Sequence, residues 1–165
     1  MLFIHGAGGF DEDRRIADEL AGSLGVSVRM PEFSDDDMSY DAWAEPILGH
    51  LDSLSPNEIA VGHSFGASIL LQVLADHPEL TPAQVVLLAM PDWSRDGWDV
   101  ADYAFRGPQP QVPITLHHCR DDEVVDFSHL TLNSAALPSA RVVEHDSGGH
   151  QFDGVVDAVA AGIRS

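Results

Sequence analysis

The chain has 165 residues, 44% of them hydrophobic, with 27 acidic residues against 8 basic ones and a formal net charge of -19 at neutral pH. That length fits one domain, residues 1–165, with a continuous core and no room for a second domain of any size. A charge of this sign repels polyanions, which removes nucleic acid and anionic membrane surfaces from the expected partners. No apolar run approaches the roughly 20 residues that a membrane helix needs. The start, Met1-Leu2-Phe3-Ile4-His5-Gly6, has neither a basic leader nor a long apolar stretch, so the expected location is cytoplasmic. Lysine is absent, and an acidic, lysine-free balance resembles salt-adapted proteins, whose self-repulsion is screened at high ionic strength. Cys119 has no partner for an intramolecular disulfide and no zinc-site spacing, so a buried thiol is expected.

Leu2 to Ile4 reads as a first strand, followed by His5-Gly6-Ala7-Gly8-Gly9. Ile16, Leu20 and Leu24 recur every four residues and predict a helix. Val26 to Met30 reads as a second strand, Asp35-Asp36-Asp37 as a solvated loop, and Trp43, Ile47 and Leu51 as a second helix. Pro46 either kinks that helix or stands just after its start. Glu58 to Val61 is a third strand and Gln84 to Ala89 a fourth, with an apolar helix between them beginning near Ala67. Residues 91–113 hold Trp93, Trp98, Tyr103 and Phe105 among Gly, Pro and Asp, and read as a long irregular connection with room for one short helix. Ile114 to His118 and Ala140 to Glu144 complete six strands, and Phe152, Val155, Val156, Val159 and Ile163 mark a final helix. Short β-branched runs alternating with helices predict an α/β fold, three layers α/β/α around a parallel sheet with right-handed crossovers.

The chemistry gathers in four segments. Gly62-His63-Ser64-Phe65-Gly66 has the G-x-S-x-G spacing, which alone arises by chance in roughly one such sequence in ten. Here it stands between a strand and a helix, the order that a nucleophile elbow requires, with Ser64 as nucleophile. His5-Gly6-Ala7-Gly8-Gly9 follows the first strand, where an oxyanion loop belongs, and the backbone N–H groups of Ala7 and Phe65 are the candidate donors. A plain strand-to-helix turn is the alternative for these glycines; phosphate binding is a weaker one, since neither G-x-G-x-x-G nor a P-loop lysine is present. Serine needs a base and an orienting acid, expected downstream in the order Ser, Asp or Glu, His. Arg120-Asp121-Asp122-Glu123 follows the fifth strand and Ser147-Gly148-Gly149-His150 the sixth. His150 is the candidate base and Asp122 the candidate acid, with Asp121 and Asp92 as rival acids and His145 as a rival base. On a strand His117 and Cys119 face one way and His118 the other, which favours packing over metal binding. His5 and His63 are expected in supporting hydrogen bonds, and His50, His77 and His129 at the surface.

With Phe3-Ile4-His5-Gly6-Ala7-Gly8-Gly9, Gly62-His63-Ser64-Phe65-Gly66, Asp122-Glu123-Val124-Val125 and Gly148-Gly149-His150, the chain resembles the α/β-hydrolase superfamily over its whole length. It looks most like the small lidless serine hydrolases related to the retinoblastoma-binding serine hydrolase, which share a Gly-His-Ser elbow, a tryptophan helix like that around Trp43 after a segment such as Met30-Pro31-Glu32, and a Gly-His near the C-terminus. The resemblance implies a minimal fold without the family's first two strands and without a cap domain, leaving a six-stranded parallel sheet in the order 2-1-3-4-5-6. It leaves the site covered only by the loop from Trp93 to Phe105, whose aromatics would form an acyl or aryl pocket, with core or interface packing as an equal alternative for any one of them. The expected function is hydrolysis of a small carboxylic ester, or of a thioester or amide, through an acyl-enzyme on Ser64, with a small-molecule ester as partner and no cofactor or metal. A halide-displacing enzyme is unsuited, because that reaction needs a carboxylate where Ser64 stands. The alternatives are a binding module on the same scaffold and a cofactor-free lyase or perhydrolase using the same triad.

Overall fold

Successive residues of a strand point to opposite faces, and in this chain the two faces carry separate cores. The computed structural model, which describes residues 1–164, builds its sheet from five parallel strands: β1 (Leu2–Ile4), β2 (Ile59–His63), β3 (Gln84–Leu88), β4 (Ile114–Cys119) and β5 (Arg141–His145). They lie side by side in the order β1-β2-β3-β4-β5. Leu2, Ile4, Ala60, Val85, Leu87, Ile114 and Leu116 meet α2 (Tyr40–Asp52), α3 (Ser64–Asp76) and α4 (Ser128–Ala136) on one face. Phe3, Val61, Val86, Leu88 and Cys119 meet α1 (Phe10–Leu24) and α5 (Val156–Arg164) on the other. β2 to β4 are covered from both sides and read as near-continuous apolar runs, as buried parallel strands do.

The expected second strand does not form. Of residues 26–30 only Arg29 bridges the sheet, pairing in parallel with Leu2; Phe3 N–H donates to Arg29 O at 2.8 Å and Arg29 N–H to Met1 O at 2.9 Å. The sheet therefore has five strands rather than six, and the expected order 2-1-3-4-5-6 is corrected to β1-β2-β3-β4-β5. Val26 is 44% exposed and buries little against the sheet, while Pro31 has no N–H with which to extend the ladder.

Two helix boundaries also differ. α2 begins at Tyr40, with Ser39 as its N-cap accepting from Ala42 N–H at 3.4 Å, and holds Pro46 inside it. Pro46 removes one backbone hydrogen bond, a loss offset by burial of Trp43, Ile47 and Leu51 on the same face. The final helix starts at Val156, not Phe152; Phe152 is fully buried with φ 55° in the turn before it. Between β3 and β4 the chain runs through turns and bends without a helix. Among the described residues no helix is long and apolar enough to cross a membrane.

Candidate active site

The loops that follow all five strands converge on one cavity of about 460 Å³ at the carboxyl edge of the sheet, the usual place for a site in this class of fold. Gly6 and Ala7 enter it from the β1 loop, Ser64 and Phe65 from β2, Trp93 from β3, Val124 from β4 and His150 from β5.

The turn from β2 into α3 is sharp. Ser64 has φ 51°, a left-handed conformation that costs an L-residue on the order of 1–3 kcal/mol and is retained where the surroundings over-determine it. Those surroundings are Gly62 and Gly66. A Cβ on Gly62 would stand 2.6 Å from Ala67 Cα, and one on Gly66 would run into the His5 carbonyl oxygen, so only glycine lets strand, helix and the β1 loop meet here. His63, the N-cap of α3, makes no side-chain cap hydrogen bond, and the first-turn amide of Phe65 has no intrahelical acceptor. The Ser64 hydroxyl lines the cavity and has no hydrogen-bond partner among the described residues.

Three amides of the β1 loop are engaged. Gly6 N–H donates to Asp13 Oδ2 at 2.7 Å, Gly8 N–H to Asp35 Oδ1 at 2.8 Å and Gly9 N–H to Gly6 O at 3.0 Å. Ala7, between them, lines the cavity with its N–H uncommitted among the described residues.

His150 lies in the loop after β5, where Gly148 (φ 135°) and Gly149 (φ 58°) turn the chain back over the sheet. Its Nδ1–H donates to Asp122, 2.9 Å from Oδ2 and 3.1 Å from Oδ1. The Asp122 side chain is fully buried and also accepts from the Val124 and Val125 amides, each at 2.9 Å, with His118 Nε2 at 3.4 Å. Burial works to raise the Asp122 carboxyl, but hydrogen bonds from His118, His150 and the Val125 amide outweigh it and hold the group well below the ordinary carboxylate range.

The rival acids are occupied elsewhere. Asp121 accepts from Gly148 N–H at 3.3 Å and Gly149 N–H at 2.8 Å, so it fixes the backbone of the histidine loop instead of its ring. Asp92 caps its own turn by accepting from the Ser94 amide and hydroxyl, and its N–H donates to His129 Nδ1 at 2.9 Å; His129 is buried there, not at the surface as expected. His145 stacks on His117 with ring centroids 5.3 Å apart and does not line the cavity. Burial brings His117 down to about 3 and pushes the Cys119 thiol up to about 12, as suits packed interior groups. His118 instead reaches the acid loop, its Nε2–H donating to Val125 O at 2.8 Å.

Sequence reasoning missed Asp13. This carboxylate, wholly buried in α1, accepts from His63 Nδ1–H at 2.8 Å and Gly6 N–H at 2.7 Å on Oδ2, and from Gln151 Nε2–H at 3.0 Å on Oδ1. Burial pushes it up, while the His63 hydrogen bond and charge, the Gly6 amide and Gln151 bring it below its usual value. A signal was present: Asp13 stands three residues before Ile16, on the face of α1 that also buries Ala17 and Leu20.

One side of the cavity is aromatic. Trp93 packs edge-on to Phe65, Trp98 and Tyr103 at 5.9, 4.8 and 5.0 Å between centroids. Trp93 Nε1–H donates to Ser68 Oγ at 2.8 Å and the Tyr103 hydroxyl to Met38 O at 2.7 Å, which fixes both rings. Phe105, expected among them, packs against the core instead, beside Gly107.

No protein-family model matches the chain, and no curated protein matches it. Solved structures do. The chain is similar to the structure of Est1E from Butyrivibrio proteoclasticus with ferulic acid bound, at 16% identity and a TM-score of 0.77 over 99% of this chain and 85% of that one. It is similar to polyneuridine aldehyde esterase at 14% identity and a TM-score of 0.75 over 99% of each chain. It is also similar to a Xanthomonas campestris protein assigned to the hydrolases of the alpha/beta superfamily, at 20% identity and a TM-score of 0.66 over 97% of this chain and 92% of that one.

Proposed function

The chain has the α/β-hydrolase fold, and on that premise we propose that it is a serine hydrolase of small carboxylic esters working through an acyl-enzyme on Ser64. One observation carries this reading: a left-handed Ser64 (φ 51°) shares a cavity with His150, whose Nδ1–H is held by the buried Asp122 at 2.9 Å. Ser64 Oγ attacks the ester carbonyl carbon while His150 Nε2 takes its proton; Asp122 keeps the tautomer and stabilises the imidazolium. The Ala7 and Phe65 amides receive the developing oxyanion. Collapse expels the alcohol with the proton from His150, leaving acyl-Ser64, and water activated by the same His150 releases the acid. Thioesters and amides fit the same steps.

The aromatic wall of Phe65, Trp93, Trp98 and Tyr103 suits an apolar or aryl group next to the scissile bond, and ferulic acid in the Est1E structure is a ligand of that kind. Glu12 at the cavity and the excess of acidic residues favour neutral or cationic esters over carboxylate-bearing ones. The narrower kinship with the small lidless serine hydrolases rests on the Gly-His-Ser elbow, the Trp43 helix and the C-terminal Gly-His.

The test is labelling with a fluorophosphonate, followed by turnover of p-nitrophenyl esters graded in acyl size. Wild-type protein should label at Ser64, and Ser64→Ala should not. Failure of the wild type to label would leave the binding module as the better account; labelling without ester turnover would point to lyase or perhydrolase chemistry on the same residues.

A further inference from the structure

Three loops must hold their relative positions for the proposed reaction: the β1 loop with Ala7, the elbow with Ser64, and the loop with His150. In each, the residue next to the reacting one binds a single carboxylate. Gly6 adjoins Ala7 and donates its amide to Asp13 Oδ2 at 2.7 Å. His63 adjoins Ser64 and donates Nδ1–H to the same oxygen at 2.8 Å. Gln151 adjoins His150 and donates Nε2–H to Oδ1 at 3.0 Å. His63 then closes the circuit, because its Nε2 lies 2.9 Å from the carbonyl oxygen of His150 itself.

The direction of these bonds follows from what each atom can do. A carbonyl oxygen only accepts, so Nε2 of His63 must carry a proton toward His150 O. On its other side the ring shares one proton with Asp13 Oδ2 across 2.8 Å, a short hydrogen bond between two buried groups. Both side chains are about 1% exposed, so water has little access to the bond between them, although both stand at the floor of the cavity. Arg15 reinforces the same corner from outside, its guanidinium donating to Gln151 O at 2.8 Å.

We infer that Asp13 and His63 are positioning residues: a buried pair that sets the spacing of the oxyanion donor, the nucleophile and the base, acting through Gly6 and His150 and not on the substrate. The inference rests on the serine-hydrolase reading of the site. A misplacement of about 1 Å at a reacting group can cost on the order of 10²-fold in rate, so relaxing this one carboxylate should act on turnover more than on binding.

The experiment compares Asp13→Asn, His63→Gln, their double variant and Gln151→Met by kcat and KM on p-nitrophenyl butyrate, rate of fluorophosphonate labelling, and Tm. Asp13→Asn keeps an acceptor for Gly6 but loses the charge. It should lower kcat and the labelling rate by about 10²-fold, with KM within about twofold of wild type. The double variant should lie within about threefold of the worse single one, because the two residues act as a unit. Gln151→Met is the safeguard against misfolding: it removes one donor to Asp13 together with Oε1, a buried acceptor without a partner, so Tm should hold while kcat falls by roughly two- to tenfold. Variants with lowered Tm but wild-type kcat per labelled site would overturn the positioning role and leave the hydrolase reading intact. Unchanged kcat in Gln151→Met, should the other variants not fold, would overturn it as well. A wild type that does not label at Ser64 would overturn both.

Discussion

Two Asp–His pairs sit side by side in this molecule, with the rings of His150 and His63 4.6 Å apart between centroids. Both pair a histidine Nδ1 with a buried aspartate, at 2.9 Å for Asp122–His150 and 2.8 Å for Asp13–His63. They differ at the other nitrogen. Nε2 of His63 is committed to a backbone carbonyl, whereas the His150 ring faces the cavity beside Ser64. Under the proposed function, the same pair of residue types would serve as a base where one nitrogen is left for a reacting proton, and as a brace where none is. Exposure follows the same division, since the His150 side chain is 11% exposed and that of His63 1%.

Removing the free nitrogen gives the largest expected effect: His150→Ala should lower kcat on the order of 10⁶-fold and stop fluorophosphonate labelling. Asp122→Asn leaves the ring in place with the wrong tautomer and should cost about 10⁴-fold. A comparable loss in Asp92→Asn would break the assignment, because Asp92 serves its own turn and His129.

Acid should separate the structural histidines from the two pairs. His117 is held at about 3 by burial, so an unfolded chain binds a proton near pH 6.5 that the folded chain refuses. Tm is therefore expected to be flat from pH 6.5 up to the ordinary thiol value of 9.0, above which the raised Cys119 thiol lowers it, and to fall below pH 6.5 toward about 3, with His129 and His145, also lowered by burial, adding to the same acid window. Asp13 and Asp122 lie below their ordinary value of 3.8, so their contribution is present above that pH and lost as pH falls through their folded values. In thermal melts His117→Gln should flatten part of the upper slope and leave the lower one. The smallest effect concerns salt. Molar KCl should raise Tm by a few degrees by screening the charge of -19, yet leave the ratio of Asp13→Asn to wild-type kcat unchanged, since that pair is buried from ions. A ratio that changed with salt would mean that the brace is open to solvent.

What could be read from the sequence was what is local. The elbow, the Gly-Gly before His150 and the glycine-rich loop after β1 carry their geometry in adjacent residues, and the alternation of strands with helices gave the layers. Asp122 could be named only beside Asp121 and Asp92, because neighbouring aspartates differ in where a loop aims them, not in type. Asp13 escaped notice since its partners lie 7, 50 and 138 residues away. Residues 26–30 have strand-like composition, yet an edge position ending at Pro31 leaves them a single bridge. Phe152 fits the helical period of Val156, Val159 and Ile163, but packing beside His63 and His145 holds it in a turn.

The backbone at Ser64 makes two substitutions there worth comparing. Ser64→Ala keeps a Cβ and so keeps the left-handed penalty, whereas Ser64→Gly gives up chemistry and strain together. Once glycine's greater freedom in the unfolded chain, up to about 1 kcal/mol, is subtracted, the difference in their melting behaviour becomes a gauge of the energy this protein keeps under tension to hold one hydroxyl upright. A glycine variant more stable than the alanine one would mean that the native serine is held against the chain's own preference, which under the proposed function would be a cost in durability carried for reactivity.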